Sequence, residues 1–267
     1  MYDYHLHSTY SQDGHLTINE ICEIQIKNGF KEIAITDHVD YNFAGNRDFV
    51  LDYENYSKDI ARAKETYRGV LKIIKGVEIG LQPDTIQQNI NFVTNHQFDF
   101  VIGSVHFVDG SNLFNGDFCH NRKREDAYRE YLQFLEDAIK DFPYFNVLGH
   151  LDGVRRYPEF EDRLISTEEF PELIDRILVQ LINTRRGIEV NSSGFRFQVD
   201  DTLPSLNIVK RFRELGGEII TAGSDAHKEN ACGANISEAF RTIKAGGFDY
   251  LCLFRDGKPI KVHLPGF

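Results

Sequence analysis

Residues 2–29 read YDYHLHSTYSQDGHLTINEICEIQIKNG. The opening YDYHLH alternates with a period of two, which predicts a short first strand. Ten residues on, Thr17 and Glu20 stand at capping-box spacing ahead of an apolar pattern repeating every three to four positions, and Gly29 suits the helix end. TINEICEIQIKNG is therefore a helix. Strand then helix makes one βα unit, and His5 and His7 sit at the carboxyl end of its strand. Side chains at i and i+2 of a strand point the same way, so both imidazoles face one side.

The same unit recurs to the end of the chain. EIAITDH precedes a long polar loop and the helix YSKDIARAKETYRG; VLKIIKGVEIG precedes a helix around TIQQNINFVTNH. FDFVIGSVHF leads through a Gly/Asn/Asp-rich loop to REDAYREYLQFLEDAIKD. FNVLGHLD leads to STEEFPELIDRILVQLINTRRG, where Ser166 and Glu169 repeat the capping-box spacing. IEVNSSG is followed by PSLNIVKRFRELGG, and EIITAGSDAH by SEAFRTIKAGG; a strand pair near YLCLFRDGKPIKVHL finishes the chain. This alternation predicts the α/β class with a parallel sheet. Seven units in 267 residues predict a closed or nearly closed barrel in a single domain, 1–267, with an open doubly wound sheet as the alternative.

Composition narrows the function. Hydrophobic residues make up 41% and charged residues 27%, the proportions of an ordinary soluble globule, and no apolar run approaches the ~18 residues of a membrane span. A net charge of −11 without a Lys/Arg-rich block argues against a nucleic-acid-binding surface, though not against a small phosphate. Cys22, Cys119, Cys232 and Cys252 lack metal or disulfide spacing and are expected as buried thiols. The N-terminal stretch lacks the pattern of a secretory signal, so the expected location is cytoplasmic.

In parallel α/β folds functional groups gather at the carboxyl ends of the strands. Here those ends carry His5 and His7, Asp37 and His38, Glu78, His106, His150, Asn191, then Asp225 and His227. Imidazoles and carboxylates converging from separate strands suit zinc, iron, manganese or cobalt, and the absence of cysteine ligands marks a reactive site. Asp13 adds a carboxylate just past the first pair. Asp37 is read as orienting His38 or a neighbouring group. His15, His96, His120 and His263 lie in loops, on a helix or at the tail, and are given no role.

DYHLHSTYSQDG, ITDH, GVEIG, GSVHF, GHLD and GSDAH stand in the order and at the approximate spacing of the PHP superfamily (polymerase and histidinol phosphatase). VLGHLDGVRRY and EVNSSG resemble its histidinol-phosphate phosphatase branch. The resemblance spans residues 3 to 227 and implies a distorted (β/α)7 barrel of the PHP type with three divalent metal ions (zinc, iron or manganese). It implies one ion at His5, His7, Glu78 and Asp225, a second joined through Glu78 to His106 and His150, and a third at Asp13, His38 and His227. Asp13 departs from members that carry histidine there, which leaves metal identity open.

The implied activity is hydrolysis of L-histidinol phosphate to L-histidinol and inorganic phosphate in histidine biosynthesis, by attack of a metal-bridging hydroxide. Three divalent ions against three carboxylates and one hydroxide leave a surplus of two positive charges, which matches a phosphate monoester dianion better than a diester. Asp225 or His227 is expected to help move protons, and Arg196 to bind the phosphate catalytically. Arg155, Arg156, Asn191 and Ser192, with Ser193 nearby, are further phosphate contacts. Asp40, Tyr41, Phe43, Asp109, Phe114, Asp117 and Glu161 lie in loops suited to the histidinol portion. Two alternatives stand beside this: a PHP phosphoesterase for another ester (nucleotide, phosphotyrosine or diester), and a non-enzymatic metal-binding accessory module. The expected partner is a small molecule, without nucleic acid or membrane; the oligomeric state is open.

Overall fold

The computed structural model describes residues 1–43, 47–113, 115–156, 160–264 and 266. Seven strands lie parallel, each hydrogen-bonded to the next: β1 (Tyr2–Leu6), β2 (Glu32–Ile35), β3 (Lys72–Gly80), β4 (Phe100–Ser104), β5 (Val147–Leu148), β6 (Gly187–Asn191) and β7 (Ile220–Gly223). Each is followed by a helix: α1 (Ile18–Lys27), α2 (Tyr53–Thr66), α3 (Ile86–Asn95), α4 (Arg124–Asp141), α5 (Pro171–Asn183), α6 (Leu206–Glu214) and α7 (Ile236–Ala245). Beyond its last residue the chain of β7 meets β1. The Asp225 N–H donates to the His5 carbonyl (2.8 Å) and the His7 N–H to the Ala226 carbonyl (2.9 Å), and Ser224 donates to Asp3, 221 residues away. The result is a nearly closed (β/α)7 barrel in one domain, not an open sheet.

Strands covered on both faces need continuous apolar runs, and Ile33, Ala34, Ile35, Val77, Ile102, Val147, Leu148, Ile188 and Val190 are all fully buried. The capping box of α1 forms as expected: the Glu20 N–H donates to Thr17 Oγ1 and the Thr17 N–H to Glu20 Oε2. That of α5 does not. Pro171 disfavours helical geometry at the residue before it, so Phe170 sits at φ −126°, ψ 50° and the helix starts at Pro171. Glu169 instead accepts two hydrogen bonds from Arg124.

The expected polar loop after β2 contains a hairpin of strands His38–Phe43 and Arg47–Phe49. Its first strand runs parallel to the end of β3, placing His38 opposite Glu78. At the other end of the barrel, the strands Tyr250–Arg255 and Lys258–His263 form an antiparallel hairpin. It is held by Phe254 N–H to Tyr4 Oη (3.0 Å), Gly257 N–H to the Asp99 carbonyl (3.0 Å) and Tyr250 Oη to the Glu218 carbonyl (3.0 Å). One mouth is thereby covered, leaving the carboxyl-end mouth for chemistry. The four cysteines are buried and unpaired, and among the described residues no helix is long and apolar enough to cross a membrane.

Candidate metal centre

Glu78, fully buried at the end of β3, is the hub. Its Oε2 lies 3.2 Å from His5 Nε2, 3.5 Å from His7 Nε2 and 3.0 Å from His38 Nδ1. Its Oε1 lies 3.0 Å from His150 Nε2 and 3.4 Å from His106 Nε2, and accepts a hydrogen bond from Ser104 (2.6 Å). Closure of the barrel brings in Asp225, whose Oδ1 is 3.7 Å from His5 Nε2 and 3.5 Å from His7 Nε2. Asp13 reaches His38 (3.7 Å) and His227 (3.3 Å). All nine side chains singled out as ligands therefore meet at one place. Their grouping differs in detail from the implied one: three trios with converging ligand atoms are His5/His7/Asp225, Glu78/His106/His150 and His7/His38/His227. Asp13 stands outside the trios, and a fourth group joins His38 and His106 to Asp40.

The donor set fits divalent cations. His5 Nε2, His7 Nε2, His38 Nδ1 and Glu78 Oε2 are buried yet make no hydrogen bond among the described residues. Buried polar atoms left this way are costly unless something else binds them, and imidazole nitrogen with carboxylate oxygen is a donor set for zinc-like ions. The opposite ring nitrogens are anchored: His7 Nδ1 to Ser11 Oγ (3.0 Å) and His106 Nδ1 to Asp40 Oδ1 (2.8 Å). Such anchors turn the remaining nitrogen toward the centre. Asp37 accepts from the Ser8 N–H, Ser8 Oγ and Ser11 Oγ, so it acts through Ser11 on His7, while Ser11 Oγ also accepts the His38 N–H. Burial pushes the Glu78 carboxyl up, but His5, His106 and His38 more than offset it and hold it well below the usual carboxylate range. Burial likewise opposes Asp225, and Arg156 and His5 hold it well below its ordinary value.

Arg156 and Arg196 reach the centre, lining a cleft of about 350 Å³ with Glu78, Asp225, His227 and Lys228. Arg156 donates to Asp225 Oδ2 and to Ser193 Oγ (2.7 Å). Arg196 Nη2 donates to the carbonyls of Ser224 (2.6 Å) and Asp225 (2.9 Å), while its buried Nη1 makes no hydrogen bond among the described residues.

Three of the expected phosphate contacts are engaged with other partners. Arg155 points elsewhere, bonded to Asp152 (2.8 Å), Asp201 (3.1 Å) and the Arg163 and Thr202 carbonyls. Asn191 ties Ser193 N–H to Glu189, and Ser192 Oγ donates to the Ala234 carbonyl (2.7 Å). Neither Asn191 nor Ser192 lines the cleft. Of the residues considered for the histidinol portion, Asp40 and Phe43 line an adjoining cavity of about 340 Å³ with Tyr10, Gln12 and Phe49. Tyr41, Asp109, Asp117 and Glu161 line neither space, and Phe114 lies outside the described residues.

Residues 3–193 match the family described as PHP domain. The chain belongs to the PHP family. It is 32% identical over 94% of its length, and 93% of the relative's, to a histidinol-phosphatase of Lactococcus lactis subsp. lactis. It is 30% identical to a probable histidinol-phosphatase of Thermotoga maritima, covering 97% of each chain. Its fold matches, with a TM-score of 0.90 and 31% identity, the crystal structure of histidinol phosphate phosphatase from Lactococcus lactis complexed with zinc, L-histidinol and phosphate; 97% of this chain and 98% of that one are covered.

Three residues at this PHP centre escaped sequence reasoning. His15, given no role, lines the cleft, as does Lys228; their closeness in sequence to Asp13 and His227 was the available signal. Glu189 is buried against His5 and His150; two residues before Asn191 on a strand, it faces the same way, and that alternation could have revealed it.

Two expectations follow for metal loading. A Cβ on Gly80 would stand 1.8 Å from Asp40 Oδ1, so Gly80→Ala should rotate Asp40 off His106 and weaken zinc binding by about 10–100-fold, read by zinc titration. The Asp13 side chain is 63% exposed, whereas those of His5 and Glu78 are fully buried. An ion held at Asp13, His38 and His227 should therefore leave first when a chelator is added, and metal analysis at timed intervals would show stepwise rather than simultaneous loss.

Proposed function

We propose that this PHP protein hydrolyses L-histidinol phosphate to L-histidinol and inorganic phosphate in histidine biosynthesis, residues 1–267 acting as one metallophosphoesterase domain. The observation that carries this is the whole-length match, in fold and sequence, to an enzyme crystallised with zinc, L-histidinol and phosphate, combined with a nine-residue ligand set beside two arginines.

Divalent ions held by these nine side chains would supply positive charge against the phosphoryl oxygens and lower the pKa of water toward ~7; three are expected, of zinc, iron or manganese. Arg156 and Arg196 orient the phosphoryl group and hold its equatorial oxygens as charge spreads over them. Asp225 fixes Arg156 through its Oδ2, which keeps that guanidinium aimed into the cleft. Water oxygen bonds to phosphorus, the ester P–O bond breaks, and the departing alkoxide takes a proton. His227, which borders the cleft, is placed to pass that proton, and Asp225 to steady it. The adjoining cavity, with Asp13 and Asp40 beside Phe43 and Phe49, suits a cationic amine and an imidazole. The small-molecule reaction and four unpaired thiols accord with a cytoplasmic setting.

The test is phosphate release from L-histidinol phosphate measured against a nucleoside monophosphate, phosphotyrosine and a phosphodiester. A kcat/KM highest for histidinol phosphate is expected. Higher turnover of any of the others would replace this reading with a PHP phosphoesterase of different specificity, and no release from any of them would leave a metal-binding accessory module.

A further inference from the structure

Glu189 on β6 is buried and lines neither cavity, yet it touches two of the ligand trios. Its Oε1 lies 2.6 Å from His5 Nδ1, and its Oε2 accepts the backbone N–H of His150 at 2.9 Å and the Asn191 amide at 3.0 Å. His5 belongs to the trio with His7 and Asp225, and His150 to the trio with Glu78 and His106.

The His150 contact is to a backbone that needs holding. Its φ of 23° lies in the left-handed region, which a residue with a Cβ adopts only when its surroundings enforce it. The two-residue strand before it supplies little ladder. Glu189 fixes its N–H on one side, and the Gly153 N–H donates to its carbonyl on the other.

The barrel also makes room for this carboxylate. A Cβ on Gly223 would stand 2.3 Å from Glu189 Oε1 and 2.4 Å from the His5 Cβ; one on Gly149 would meet Ser104 Oγ at 2.3 Å. Glycine at 223, on the neighbouring β7, lets the carboxylate reach sideways to His5, while the Gly149 Cα faces Ser104.

We infer that Glu189 is a positioning residue that couples two metal sites, one oxygen setting the ring of His5 and the other the backbone that aims His150. It touches neither substrate nor ion. Glutamine in its place keeps the shape but offers one acceptor oxygen where two are used, so one of the two contacts is lost.

The inference rests on the metal-centre reading, and the experiment separates the two. The full-chain protein and Glu189→Gln are titrated with zinc against a competing chelator, and the visible absorption of the cobalt-loaded forms is recorded. Expected are zinc affinity about 10–100-fold weaker in the variant and an altered cobalt spectrum, beside a lower melting temperature of the chelator-treated protein from the lost buried hydrogen bond. Equal affinity and identical spectra overturn the coupling role. So does a lower melting temperature with unchanged affinity, which is what a purely structural residue would give. Failure of the unaltered protein to bind zinc or cobalt overturns the metal-centre reading and this inference with it. Should Glu189→Gln not fold, Glu189→Asp decides: its carboxylate is one methylene too short to hold both groups, so unchanged affinity overturns the inference and weakened affinity supports it.

Discussion

Glu78→Gln should lower kcat for phosphate release by roughly 10³–10⁴-fold, the rate equivalent of losing several kcal/mol of electrostatic stabilisation at a metal centre. Glu78 touches five histidines through its two oxygens, so five of the candidate ligands depend on it. Glutamine preserves its volume and removes the charge that those imidazoles face. The substitution should leave the barrel folded, because the strands on either side are held by their own ladders. Far-UV circular dichroism and metal analysis on the same sample would show native secondary structure with reduced metal content. A variant that retained near-normal turnover would remove Glu78 from the centre of the chemistry.

Arg155 and Arg156 should part company when each is replaced by alanine. Arg156→Ala removes a donor from the cleft and should cost about 10²–10³-fold in kcat/KM, the usual effect of deleting one preorganised donor to a developing anion. Arg155→Ala leaves Asp152 buried without its cation and should cost about 3–5 kcal/mol in stability, seen as a lower urea midpoint, with kcat/KM of the folded fraction unchanged. Equal catalytic losses in the two would restore Arg155 to the phosphate site.

This pair also shows how far a sequence can be read. The two arginines are neighbours in one short 3₁₀ turn, Gly153–Arg156, where successive side chains diverge by about a third of a rotation. No residue pattern says which of them faces the cleft; that depends on Asp152 and Asp201 lying behind one and Asp225 before the other. The nine converging side chains were legible for the opposite reason. Strand geometry fixes where a carboxyl end points, so residue type at that end carries the information directly. Glu189 obeys the same alternation, but its part is played sideways, through a ring nitrogen on β1 and the backbone amide of His150. The start of α5 and the hairpin after His38 were missed where local chemistry competed: a proline overruled a capping pattern, and HVDYNF found a parallel neighbour in β3.

The seam between β1 and β7 has a further consequence. Three of the residues that fasten it, His5, His7 and Asp225, also converge on one ligand trio, and they come from segments far apart in the chain. Joining such distant segments is entropically slow, so during synthesis the ring is completed late. Ions captured before that moment would find only a fragment of their cage, which makes metallation a reporter of finished folding: a chain that has loaded fully has already brought these segments together.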